Sequence, residues 1–98
     1  MVNFIQVNAH NSKLAMTELA NEINKYAQYI AIIQEPYLNQ YKLIKKHPSN
    51  AKVFAFHTSP RTCIFTSRNL SFMKVDSLCD KFTTTIAGTI NSQKIYWG

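Results

Sequence analysis

Glycine occurs twice, proline three times and cysteine twice in this 98-residue chain, and each scarcity removes a class of answer. So little glycine and proline leaves no stretch that reads as a flexible linker, and the length accommodates one small domain at most. Cys63 and Cys79 have neither the spacing of a metal knuckle nor the density of a disulfide framework, so each is expected to be a small buried thiol. No run of about 18 apolar residues is present, so no membrane-spanning helix is expected. The start, Met1-Val2-Asn3-Phe4-Ile5-Gln6, lacks the basic segment and apolar core of a secretory signal, and the chain is expected to be intracellular. Acidic residues are also few. Five stand against 11 Lys and Arg, a formal charge of +6 that favours polyanionic partners.

What is present is a globular mixture, 46% hydrophobic and 16% charged. Residues 2–8 (VNFIQVN) form a compact apolar run with apolar side chains at both parities, Val2 and Phe4 against Ile5 and Val7. That pattern predicts a strand buried on both faces. The polar turn Ala9-His10-Asn11-Ser12 follows, with helix-capping chemistry at Asn11 or Ser12. From Lys13 to about Tyr29 the period becomes helical, with Met16, Leu19, Ile23, Tyr26 and Ile30 at steps of three and four. Residues 29–34 (YIAIIQ) then read as a second strand, ended by Pro36. Strand, helix and strand with short joins make a βαβ unit whose two strands run parallel, so Asn8 and Glu35 are expected to meet at one sheet edge.

Residues 38–50 are polar and basic and read as a loop. Beyond them the pattern is all strand, over 52–56, 61–66, 71–75, 82–90 and 94–97, with breaks at Pro60, Arg68-Asn69 and Asn91-Ser92. Residues 82–90, with Thr83, Thr84 and Thr85 beside Ile86 and Ile90, carry high β propensity. The fold class is therefore α/β (α+β), a βαβ unit followed by mainly antiparallel strands. The sequence ends at Ile95-Tyr96-Trp97-Gly98 inside an expected strand, so residues 1–98 are expected to be an incomplete domain.

The pieces that carry chemistry are Gln6-Val7-Asn8-Ala9-His10 and Ile32-Ile33-Gln34-Glu35-Pro36-Tyr37. In order and spacing they resemble the opening of the endonuclease/exonuclease/phosphatase superfamily, a strand ending in Asn, a helix, then a strand ending in Gln-Glu. The Gln-Glu-Pro-Tyr form looks like the apurinic-type endonuclease domain of non-LTR retrotransposons. Ser59-Pro60-Arg61-Thr62-Cys63-Ile64-Phe65 is similar to the Pro-Arg strand of those elements, and Cys79-Asp80-Lys81-Phe82-Thr83 to their acidic residue ahead of a strand.

The resemblance implies the N-terminal part of a two-sheet α/β sandwich and a Mg²⁺-dependent (or Mn²⁺-dependent) endonuclease that nicks target DNA for priming by a fused reverse transcriptase. Action on target DNA would place it in the nucleus. Glu35 matches the metal-binding glutamate, and Asn8 the asparagine at the metal and scissile phosphate. Mg²⁺ takes hard oxygen ligands and often only one or two protein carboxylates, so this donor set suits it. Read without the resemblance, Glu35 is a strand-terminal surface acid and Asn8 a helix cap.

His10 stands where many relatives have Asp or Asn, which leaves it as a site contact or a solvated turn residue, with Asn11 a substitute. Tyr37, Tyr41, Lys42, Lys45 and Lys46 are candidate DNA contacts, by stacking and by phosphate binding, or a solvated basic loop. Arg61 is a phosphate contact or a turn residue. The resemblance also implies a general-base Asp, an Asp-x-Asn motif and a late catalytic His downstream. None has a counterpart here, so the 98 residues alone are expected to be inactive. Two other readings remain open: a small basic nucleic-acid-binding module with no active site, and a phosphatase of the same superfamily.

Overall fold

The chain was analysed as a computed structural model, which describes residues 2–44, 47–90 and 93–97. Two sheets face each other. The first has the strand order β1-β2-β4-β3, built from β1 (Asn3–Asn8), β2 (Tyr29–Gln34), β3 (Ala51–Ala55) and β4 (Thr62–Ser67). β1 and β2 are parallel, while β4 is antiparallel to both β2 and β3. The second sheet has the order β5-β6-β7, from β5 (Phe72–Lys74), β6 (Ile86–Ile90) and β7 (Gln93–Trp97), all antiparallel. The expected α/β class, with a βαβ unit leading into antiparallel strands, is what the chain adopts.

The helix α1 (Lys13–Ile23) joins the parallel pair and starts where Ser12 caps it, the Ser12 Oγ accepting from the Ala15 N–H at 3.1 Å. Ser12, not Asn11, is therefore the cap. Met16, Leu19 and Ile23 of α1 bury themselves on one face of the first sheet, against Tyr29, Ala31, Ile33, Cys63 and Phe65. The opposite parity of the same central strands, Ile30 and Ile64, packs on Leu70, Phe72 and Ile86 of the second sheet and its approach. β2 and β4 are thus covered on both sides, which is why 29–34 is apolar almost throughout. Two lysines tie the sheets at their margin: Lys52 Nζ donates to the Leu70 carbonyl at 2.6 Å and Lys74 Nζ to the Ala55 carbonyl at 3.2 Å.

Four expectations change. α1 ends at Ile23 rather than near Tyr29, because the Asn24 N–H bonds to the Ala20 and Glu22 carbonyls and the following amides form tight i−3 bonds. Tyr26 still packs on the core from that turn, and Ile30 belongs to β2 on the other face of the sheet. β1 is not buried on both sides: Ile5 and Val7 face the helix layer, whereas Phe4 is 52% exposed. β1 is the edge strand of the first sheet.

Residues 82–85 are not strand, since the Asp80 Oδ1 takes the Phe82 N–H at 2.8 Å and folds 80–83 into a turn. A local side-chain acceptor here outweighs the β propensity of the threonines. Finally, Cys63 is fully buried, its thiol pushed up by burial, but Cys79 is only half-buried and bonded to the Thr85 backbone. The break expected at Asn91-Ser92 lies outside the described residues.

β5 lies so close to β6 that Gly88 admits no side chain. A Cβ there would meet the Ser71 carbonyl oxygen and stand 2.7 Å from Phe72 Cδ1. Gly88→Ala is expected to lower unfolding stability by about 1–3 kcal/mol through overpacking, measured by denaturant melts. An unchanged midpoint would mean that β5 does not approach β6 in this way.

Candidate functional site

Parallel pairing brings the ends of β1 and β2 to one edge, with Asn8 beside Gln34 in register. Because β4 runs the other way, its start arrives at the same edge, Thr62 opposite Gln34. The backbone continues to pair past the strands. The Ala9 N–H donates to the Gln34 carbonyl at 2.8 Å, the Asn11 N–H to the Glu35 carbonyl at 2.8 Å, and the Glu35 N–H to the Arg61 carbonyl at 2.9 Å. The Arg61 N–H in turn donates to the Lys81 carbonyl. Four turns are thereby stitched into one rim.

Three residues of this rim have left-handed backbone: His10 (φ 50°), Asn11 (φ 58°) and Glu35 (φ 50°). For an L-residue this region costs roughly 1–2 kcal/mol, and Glu35 also precedes Pro36, which restricts it further. Strain of this kind persists where the surrounding bonds over-determine it and clusters at functional sites. Here the hydrogen bonds on both sides of the Glu35 peptide hold it.

The side chains converge accordingly. Glu35 Oε2 lies 3.8 Å from His10 Nδ1 and Glu35 Oε1 lies 4.0 Å from Arg61 Nη2, the carboxylate side chain being 35% exposed. Both separations exceed hydrogen-bond length, so the two basic groups flank the carboxylate without occupying it. Asn8 is not a helix cap; its Oδ1 accepts the His10 N–H at 2.9 Å and shapes the turn that carries His10. Below the rim, between the first sheet and the 82–84 segment, a cleft of about 360 Å³ is lined by Gln6, Gln34, Thr62, Phe82, Thr83 and Thr84 among others. The Thr62 and Thr84 hydroxyls join across it at 2.9 Å.

Asn8, His10, Glu35 and Arg61 are therefore brought together. Tyr37 is half-buried against the helix-side core and offers little face for stacking. Tyr41 and Lys42 sit on a separate turn held by Asn39, whose Oδ1 accepts from the Tyr41 and Leu43 amides at 2.9 and 3.1 Å. Tyr41 there is 71% exposed. Lys45 and Lys46 lie outside the described residues. Lys81 and Phe82, expected only as the approach to a strand and its start, join the rim through the Arg61–Lys81 backbone bond, which no local sequence pattern marks.

Among the described residues no three His, Cys, Asp or Glu side chains gather as a ready metal cage. The donor set at the rim is one carboxylate, Glu35, with the amide oxygen of Asn8 bonded to backbone. Such a set fits a hydrated Mg²⁺ or Mn²⁺ that keeps most of its waters and shares phosphate oxygens, and does not fit a soft or fully dehydrated ion.

A glutamate in a left-handed backbone predicts an inverted mutational order. Glu35→Gly is expected to be at least as stable as Glu35→Ala, by up to about 1 kcal/mol, since glycine relieves the backbone at a smaller entropic cost. Thermal melts of the two variants measure it. Clearly greater stability of Glu35→Ala would mean that the position is unstrained.

No protein-family profile matches the sequence, and no curated protein matches it. Among solved structures the chain is similar to the endonuclease domain of TRAS1, a telomere-specific non-LTR retrotransposon, with a TM-score of 0.65 and 21% identity over 95% of this chain. The match spans 41% of the TRAS1 chain. The chain therefore shares its fold with part of that domain, an α/β sandwich.

Proposed function

We propose that the chain is the N-terminal part of a metal-dependent DNA endonuclease of a non-LTR retrotransposon, and that the rim around Glu35 is its half of the active site. The observation that carries the reading is the strained Glu35 at the carboxyl edge of the β1–β2 pair, set between His10 and Arg61, in a chain whose fold over 95% of its length is that of a retrotransposon endonuclease domain. Ligands of open α/β sheets gather at such edges.

In this reading Glu35, with Asn8 beside it, holds the divalent cation, which when bound supplies Lewis-acid stabilisation of the phosphate charge. Arg61 binds and orients the phosphodiester through its guanidinium. Asn8 fixes the turn bearing His10 through the His10 amide, which keeps the imidazole beside Glu35. Proton abstraction from the attacking water and protonation of the leaving oxygen are not assigned to any of these residues. They belong to the remainder of the domain, and the 98 residues alone are proposed not to cut. The net charge of +6 draws the polyanionic substrate to the rim. Priming by a fused reverse transcriptase and action in the nucleus are the corresponding proposals for the whole protein.

Nicking of supercoiled plasmid by the longer protein that contains this chain tests the proposal. Glu35→Gln, which keeps the shape and removes the charge, is expected to slow nicking by about 10²-fold or more at unchanged melting temperature. Native nicking by that variant would remove Glu35 from the site.

A further inference from the structure

The turn at 80–83 is organised beyond what a connection requires. The Asp80 N–H donates to the Thr83 carbonyl at 2.9 Å, the Thr83 N–H returns to the Asp80 carbonyl at 3.3 Å, and the Asp80 Oδ1 takes the Phe82 N–H at 2.8 Å. The two central residues, Lys81 and Phe82, are thereby pushed outward, and the Phe82 side chain is left 58% exposed. Burying a large aromatic is the ordinary outcome, and nothing in the turn prevents a smaller residue here.

Two cations stand over that ring. Lys81 Nζ stands 5.0 Å from its centroid and the Arg61 guanidinium carbon 5.8 Å from it. Arg61 also reaches to 4.0 Å from Glu35, so the platform is continuous with the rim of the candidate site. An exposed aromatic ring with two cations over it, on a turn locked by its own hydrogen bonds, can take a nucleobase in place of a cation on the ring while the cations take the phosphates. The acid of the turn, Asp80, is engaged with the Phe82 amide.

We propose that Phe82, Lys81 and Arg61 form a nucleic-acid subsite, in which an unpaired base stacks on Phe82 while Lys81 and Arg61 hold the phosphates on either side of it. The subsite rests on the reading of the rim as a DNA-processing site and sets where the strand lies relative to Glu35: the stacked nucleotide is next to the phosphate that Arg61 delivers. An unpaired base is specified because a ring on a surface turn reaches the face of a base only when its stacking partner is absent.

Titration of the 98-residue chain into a labelled oligothymidine of about 12 nucleotides, over a range of salt, separates the parts. Phe82→Ala is expected to weaken binding roughly tenfold with the salt slope unchanged, because stacking releases no counterions. Phe82→Trp should keep the affinity and add fluorescence quenching absent from the unsubstituted chain. Lys81→Ala should reduce the slope of log K against log salt by about 0.7. If Phe82→Ala and Lys81→Ala bind like the unsubstituted chain while Tyr41→Ala or Lys42→Ala weakens binding, the subsite is overturned and the DNA-processing reading stands. If the unsubstituted chain fails to bind even at low salt, both fall.

Discussion

The peptide groups flanking Glu35 hold the edge of the molecule together. The Glu35 N–H reaches the Arg61 carbonyl and the Glu35 carbonyl receives the Asn11 N–H, so one residue links the turn after β1, the end of β2 and the approach to β4. The backbone makes them at φ 50°, and Pro36 directly after disfavours helical backbone at Glu35. The carboxylate is placed by this constraint rather than by packing of its own side chain. His10 and Arg61 arrive beside it because their backbones are partners in the same ladder.

Strain at the rim is tolerable because the layers beneath it are not strained. β2 and β4 are covered on one face by Met16, Leu19 and Ile23 and on the other by Leu70, Phe72 and Ile86. Burial of several such side chains, at about 1.5–3 kcal/mol each, exceeds the roughly 1–2 kcal/mol per left-handed residue at the edge. The core carries small costs of its own: the Tyr29 and Thr66 hydroxyls are buried with no hydrogen-bond partner among the described residues, and burial holds the Tyr29 phenol above its ordinary range. A rigid sheet with a conformationally forced acid at its end suits a site that must present a carboxylate to a cation without rearranging.

Much of this was legible beforehand, for physical reasons that differ by element. The βαβ unit shows itself because its burial is regular: period 3.6 over 13–23 and a fully covered strand over 29–34. The parallel pairing then implies that Asn8 and Glu35 share an edge. The exposed face of β1 was illegible, since Phe4 looks apolar whether or not a second layer covers it. The threonine run at 83–85 misled because propensity knows nothing of one aspartate oxygen three residues earlier. Left-handed turns at His10, Asn11 and Glu35 have no glycine to announce them, so the rim had to be seen. Arg61 and Lys81 meet there through backbone bonds between segments 20 residues apart in number, which no local pattern encodes.

The central claim is that Glu35 is the cation-holding group of this edge, and substoichiometric Mn²⁺ added to ¹⁵N-labelled protein tests it most directly. The account predicts that the amide signals of Ala9, Asn11, Glu35 and Arg61 broaden first, and that Glu35→Gln abolishes the effect. Broadening centred on Asp76 or on the Glu18–Glu22 face of α1, with the Glu35 signal left sharp, would contradict it.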